Sequence, residues 1–68
     1  MEVVINNQKK VFTKEEIALQ EILDIEMPYK QSGVAVAINN IVIPKTEWIN
    51  KAINNNDNLL IIKATQGG

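Results

Sequence analysis

The sequence contains no cysteine and no histidine. These absences remove the thiol nucleophile, the commonest general base near neutral pH, and the nitrogen and sulfur ligands of most metal sites. No disulfide can staple the fold, which fits a reducing interior. The one serine, Ser32, sits beside Gly33 in an expected turn with no histidine to activate it, so a Ser-His-Asp arrangement is excluded. Arginine is missing too: the seven basic residues are all lysines, and no cluster exceeds Lys9-Lys10. With a net charge of −1 and a pI of about 5.2, the chain lacks the basic patch that a phosphate backbone needs. Nucleic acid is therefore not expected as a partner. No run approaches the ~18 apolar residues of a membrane helix, so no membrane partner is expected either. Met1-Glu2-Val3-Val4-Ile5 has neither the basic start nor the long apolar stretch of a secretion signal, which leaves a cytoplasmic location as the expectation.

What is present suffices for one small domain. Sixty-eight residues lie near the size at which a single core is only just enough. The apolar fraction of 46% can build that core, and 22% charged residues is ordinary. The most informative stretch is the last ten residues. Leu59-Leu60-Ile61-Ile62 is too apolar to stand in water and reads as a strand through the middle of a sheet. After Lys63 the apolar content falls, and the sequence ends on Gly67-Gly68. A glycine pair without Cβ atoms can enter a channel too narrow for other residues, although a frayed end is the bland alternative. Since the side chains offer no reactive constellation, the terminal carboxylate of Gly68 is the remaining candidate for chemistry. The expected organisation is a folded domain over residues 1–64 and a flexible tail over residues 65–68.

Taken in order, residues 1–12 read as a hairpin. Met1, Val3 and Ile5 alternate with Glu2, Val4 and Asn6, Asn6-Asn7-Gln8 is a tight turn, and Lys10-Val11-Phe12 returns as an edge strand. Thr13-Lys14-Glu15-Glu16 predicts a helix start, with Thr13 and Glu16 as a capping box and Phe12 and Ile17 as a hydrophobic staple. That helix is expected to run to about Ile25, presenting Ala18, Ile22 and Ile25 with Leu19 and Leu23 flanking them. Pro28 and Gly33 bound the next loop, where Tyr29 is expected over a core edge. Val34-Ala35-Val36-Ala37-Ile38 predicts a strand with the larger residues on one face and the alanines on the other. Asn39-Asn40 marks a turn, and Ile41-Val42-Ile43 returns until Pro44 ends it. Thr46-Glu47-Trp48-Ile49 suggests a helical turn capped by Thr46, with Trp48 more a core plug than a binding platform. Asn54-Asn55-Asn56-Asp57-Asn58 is a polar turn in which Asn56 can take the left-handed conformation.

One helix on a mixed sheet buries these apolar faces economically. The continuous apolar run places the last strand centrally, beside the first and parallel to it through a right-handed crossover. The expected class is α+β: a β-grasp (ubiquitin-like) fold, with a mixed sheet of about four to five strands, one main helix and a short helical turn.

Several segments also carry a resemblance. Gly33-Val34-Ala35-Val36-Ala37-Ile38-Asn39-Asn40, Val42-Ile43-Pro44-Lys45, Glu47-Trp48, Asn56-Asp57 and Gly67-Gly68 together resemble the ThiS family, the small sulfur carriers of thiamine biosynthesis. That family usually shows an alanine-rich strand ending in an aliphatic-Asn pair, a Val-Pro-Arg-x-x-Trp stretch, a Gly-Asp turn and a Gly-Gly end. The spacings agree without gaps from about Ala37 onward, whereas the first 32 residues match only in pattern. Lys45 stands where Arg is frequent, which keeps the charge but loses the bidentate fork. Asn56 stands where Gly is usual, a conservative turn exchange.

The resemblance implies a substrate and shuttle, not an enzyme. An adenylating, ThiF-like enzyme would consume ATP to activate the Gly68 carboxylate, with Gly67 beside it. Sulfur from a desulfurase, usually derived from cysteine, would displace AMP and leave a thiocarboxylate. That group would serve a ThiG-like thiazole synthase. No bound cofactor and no metal are implied, and the free chain is expected to be a monomer.

Partner docking is expected to use Val4, Leu60, Ile62, Lys63, Ala64, Thr65 and Gln66. In the β-grasp register counted back from the glycines, Leu60 and Ile62 face outward while Leu59 and Ile61 face the core. Val4 would join the outward patch, with Ala35 and Ala37 keeping part of it flat. The opposite assignment also has support, because Lys63 shares a face with Leu59 and Ile61.

Two related readings use the same tail. One is the small subunit of molybdopterin synthase, whose family commonly carries prolines before its tail; Ile62-Lys63-Ala64-Thr65-Gln66 has none. The other is a ubiquitin-like modifier conjugated to protein lysines. In a plain interaction domain, the glycines would be incidental.

Overall fold

Asparagine pairs make both hairpin turns in the computed structural model, which describes residues 1–28 and 32–63. In chain order the elements are β1 (Glu2–Ile5), β2 (Gln8–Val11), β3 (Ile17–Ala18), α1 (Leu19–Glu26), β4 (Val34–Ile38), β5 (Ile41–Val42), a 3-10 turn (Lys45–Glu47), β6 (Ala52–Ile53) and β7 (Asn58–Lys63). Asn6 and Asn7 have φ of 50° and 68°, and Asn39 and Asn40 have 49° and 71°. Two successive left-handed residues form the tight turn whose twist matches paired strands, and asparagine tolerates that region best after glycine.

The main sheet has the order β2-β1-β7-β4-β5. β7 is central, parallel to β1 and antiparallel to β4, while β2 and β5 form the edges. This is the mixed β-grasp sheet expected from the sequence. β3 and β6 pair separately as a two-stranded ladder, Ile17 opposite Ile53 and Ala18 opposite Ala52. Their two-residue lengths fall below what alternation can reveal, and neither is expected from the sequence.

The inward sheet face supplies Val3, Ile5, Val36, Ile38 and Leu59 to the core. Leu19, Ile22, Leu23 and Met27 cover them from the helical side, with Trp48 and Ile53 closing the end. An eight-residue helix is too short to be stable alone in water. Burial of its three apolar residues, about 1.5–3 kcal/mol each, is what holds it. Trp48 is 1% exposed, and its indole Nε1–H donates to the Ile43 carbonyl at 2.9 Å, so it is the core plug anticipated.

The helix start differs from expectation. α1 begins at Leu19, not after Thr13. Ile17 and Ala18 are extended because their backbone pairs with β6. The first helical N–H groups are satisfied by tertiary carbonyls: Leu19 N donates to Lys51 O at 2.8 Å and Gln20 N to Trp48 O at 3.0 Å. Glu21 rather than Glu16 reaches back, accepting from Ala18 N at 3.1 Å. Glu21 also pairs with Lys14, and that hydrogen bond, together with the Ala18 amide, holds its carboxyl below the usual 4.5. Thr13 and Glu16 lie in the exposed connection instead of forming a capping box.

The later start also rotates the buried stripe. Leu19, Ile22 and Leu23 face the core, and Ile25 is 57% exposed. Thr46 does not cap the 3-10 turn either, since that turn follows Pro44 and has no side-chain cap. Tyr29 lies outside the described residues.

A polar corner closes the entry to β7. The buried carboxylate of Asp57 accepts from Asn54 N at 2.7 Å and from the Asn39 side-chain amide at 3.1 Å. Asn56, with φ of 70°, takes the expected left-handed conformation. Its N–H donates to Glu2 O at 2.6 Å.

Candidate functional site

Strand alternation sends successive β7 side chains to opposite faces. Leu59 is fully buried and Ile61 packs against the core, while Leu60 is 49% and Ile62 53% exposed. The structure therefore has the first of the two registers considered from the sequence. The cause is pairing with β1: Ile5, a core residue, is the register partner of Leu59, so Leu60 must point away.

The neighbours of Leu60 and Ile62 are small. Ala37 is opposite Leu60 and Ala35 opposite Ile62 on β4. Val4, half-buried, sits on the other flank and is the register partner of Asn58. Val42 is paired with Ala37 and exposed, so it extends the same face toward the edge of the sheet. Sequence reasoning missed Val42. The signal was available, because a two-residue turn at Asn39-Asn40 fixes Val42 opposite Ala37. On the far flank Lys9 lies opposite Val4 and forms an ion pair with Glu2 at 3.5 Å, which gives the apolar face a charged rim.

Lys63 does not join this face. It alternates to the other side and lines a shallow hollow with Ile5, Asn6, Glu26, Met27 and Ile61. Ala64, Thr65, Gln66, Gly67 and Gly68 lie outside the described residues. Lys63, the last described residue of β7, precedes the candidate tail by one residue in the sequence, so the outward ridge and the tail are close along the chain.

Chemically, this arrangement offers contact area and nothing reactive. A patch of exposed aliphatic and alanine side chains suits a protein surface, whereas small ligands favour roomier concave sites than the hollow of about 180 Å³ that Leu60 borders with Asn6, Asn7, Asn40 and Asn58. An open hollow of about 700 Å³ lies between β3, β6 and Glu15, Glu16 and Glu21, and shares no residue with the apolar face. Among the described residues no group of three or more Asp and Glu side chains could hold a metal ion.

Comparison with known proteins agrees with this geometry. The model of the ThiS family matches residues 2–68. The sulfur carrier protein ThiS of Escherichia coli (strain K12) is 28% identical over 50 residues, 74% of each chain. The crystal structure of a thiamine biosynthesis protein (ThiS) from Geobacter metallireducens superposes with a TM-score of 0.86 at 17% identity, covering 100% of both chains. A solution structure of a thiamine biosynthesis protein from Geobacter metallireducens gives a TM-score of 0.81 at 20% identity, covering 100% of this chain and 88% of that one. At such identities the two structures establish a shared fold.

Proposed function

The chain belongs to the ThiS family, and we propose that it is a sulfur carrier of thiamine biosynthesis whose Gly68 carboxylate is converted to a thiocarboxylate. The observation that carries this reading is the exposed Leu60–Ile62 ridge, on a rigid central strand that leads within a few residues to Gly67-Gly68.

A carboxylate is a poor electrophile until one oxygen becomes a leaving group. On an ATP-dependent activating enzyme, the Gly68 carboxylate oxygen attacks the α-phosphorus of ATP. Pyrophosphate leaves and an acyl-adenylate remains. A sulfur nucleophile supplied from cysteine by a desulfurase then attacks the acyl carbon. The C–O bond to AMP breaks and a C–S bond forms to the outer sulfur of the donor's persulfide, giving an acyl disulfide. A second thiol, such as free cysteine, then attacks the donor sulfur. The S–S bond is reduced, the thiocarboxylate leaves and the donor is left in a disulfide with that thiol. Its sulfur is a better nucleophile than oxygen and passes to a thiazole synthase. The chain supplies reach and a docking face, and is consumed as a co-substrate.

Val4, Leu60 and Ile62 dock the partner, with Ala35, Ala37 and Val42 extending the contact. Ala64, Thr65, Gln66 and Gly67 carry Gly68 toward the nucleotide, starting from Lys63, which is paired with Val34 in the sheet. Glycine at the last two positions lets the tip enter a narrow channel.

Intact-mass measurement tests the reading directly. The chain is incubated with the activating enzyme of its native host, ATP, cysteine and a desulfurase. An oxygen-to-sulfur mass gain confined to the C-terminal peptide is expected, and deletion of Gly68 should abolish it with the circular dichroism spectrum unchanged. No mass gain in the unaltered chain, or lysine-linked adducts in its place, would overturn the proposal.

A further inference from the structure

β1 turns away from β7 after Ile5, before β7 has reached the tail. In a regular parallel ladder the next residue of β1 would donate to Leu59 O and accept from Ile61 N, and a later one would donate to Ile61 O. Asn6 N makes the first of these bonds, to Leu59 O at 3.0 Å. Its φ of 50° then swings the backbone into the turn. The Asn6 side chain makes both missing bonds: Oδ1 accepts from Ile61 N at 2.8 Å and Nδ2 donates to Ile61 O at 3.2 Å.

Asn39 does a similar job at the other end of the strand. Its N–H donates to Asn58 O at 2.8 Å, and its Oδ1, in place of its carbonyl, accepts from Asn58 N at 3.0 Å. The first residue of each Asn-Asn turn thus substitutes side-chain amide atoms for lost ladder groups, and β7 is held at both ends.

The geometry points to Asn6 as a positioning residue: its amide clamps the backbone of Ile61, two residues before Lys63, and so fixes the stretch of β7 from which the sequence continues to Gly68. This role rests on the carrier reading above. Asn6 touches no reacting atom. It acts by raising the fraction of docked complexes in which the carboxylate reaches the nucleotide, because small misplacements of a reacting group cost rate steeply. A clamp of this kind alters turnover more than docking, since Leu60 and Ile62 make the docking face.

Asn6→Gly tests it, because glycine keeps the left-handed backbone and removes the amide. Asn7→Gly is the control, placing glycine at the second position of the same turn, where Asn-Gly is favoured. In Asn6→Gly the Ile61 amide should exchange with solvent roughly tenfold faster, with Leu59 unchanged. In adenylation assays with the activating enzyme, kcat should fall roughly tenfold while KM stays within about twofold. Should Asn6→Gly fold poorly, Asn6→Asp replaces it: the acceptor for Ile61 N–H remains, the donor to Ile61 O is lost, and kcat should fall in the same direction.

Unchanged Ile61 exchange overturns the clamp. Faster exchange with unchanged kcat, or a loss confined to KM, overturns the positioning role. Absence of adenylation in the unaltered chain would instead defeat the carrier reading and the positioning role with it. The clamp itself would still stand or fall on the exchange data.

Discussion

Ala37 lies directly opposite Leu60 on the outer face of the sheet, and its single methyl group leaves half of the leucine in solvent. Ala35 does the same for Ile62. A β-branched residue at either alanine would shield its partner, so the small side chains are what keep this ridge available. Leu60→Thr and Ile62→Thr should each weaken association with the activating enzyme by roughly tenfold. That is about 1.4 kcal/mol, slightly below the 1.5–3 kcal/mol of a fully buried aliphatic side chain, as suits a half-exposed one. Threonine retains strand propensity, so the thermal midpoint should move little. Titration calorimetry beside thermal melts checks both halves, and unchanged affinity would remove the docking role from this face.

Asp57 has the opposite character, a buried carboxylate whose oxygens serve two donors. Asp57→Ala strands the Asn54 N–H and the Asn39 amide together. Both donors belong to exposed residues and their bonds are only part-buried, so each unpaired site costs at the low end of about 1–3 kcal/mol. Urea unfolding should therefore show a loss of roughly 2 kcal/mol. Val4 N also donates to Asp57 O at 2.9 Å, so the exchange of the Val4 amide should accelerate in the same variant.

Trp48 offers a direct reporter of folding because it is the only tryptophan and is buried. Its emission should shift to longer wavelength on unfolding. Trp48→Phe removes the Nε1–H bond to Ile43 O and leaves a void. The combined cost should be about 2–3 kcal/mol. A variant as stable as the parent would mean that neighbouring side chains collapse to fill the space.

The fold was legible wherever a local rule and a long-range one agree. The Asn6-Asn7 and Asn39-Asn40 turns fix hairpin register, and the unbroken run Leu59–Ile62 between a polar turn and a polar tail sequence reads as a central strand. The helix start was not legible. Thr13-Lys14-Glu15-Glu16 has the pattern of a cap, but the carbonyls of Trp48 and Lys51 cap the helix from across the fold, and no local pattern can show them. The identity of Glu21 as the back-bonding carboxylate follows only once Ile17 and Ala18 are committed to pairing with β6.

For the docking face, period-two alternation divided β7 into two sets, and the β-grasp register counted back from the glycines put Leu60 and Ile62 outward, as the structure has them. Pairing of Leu59 with Ile5 holds that register. The Asn6 clamp, by contrast, was hidden: turn chemistry explains the asparagine fully, and its second role exists only in the presence of Ile61.

Glu21 carries a pH dependence whose sign can be worked out. Its folded-state pKa lies below the usual 4.5, mainly through the hydrogen bond from Lys14 and then through the Ala18 N–H. A depressed acid stabilises the fold when ionised, so its contribution is complete above the ordinary value and is lost as pH falls through the depressed one. Glu21→Gln removes the charge while its amide oxygen can still accept from Ala18 N. The stability gap between the parent and Glu21→Gln should be constant at neutral pH, begin to narrow at about 4.5 and close at lower pH. Both side chains of the pair are substantially exposed, so added salt should narrow the gap at neutral pH as well. Urea unfolding at a series of pH values measures it. A gap that widened toward acid would show that the carboxylate is destabilised in the folded chain, contrary to its two donors.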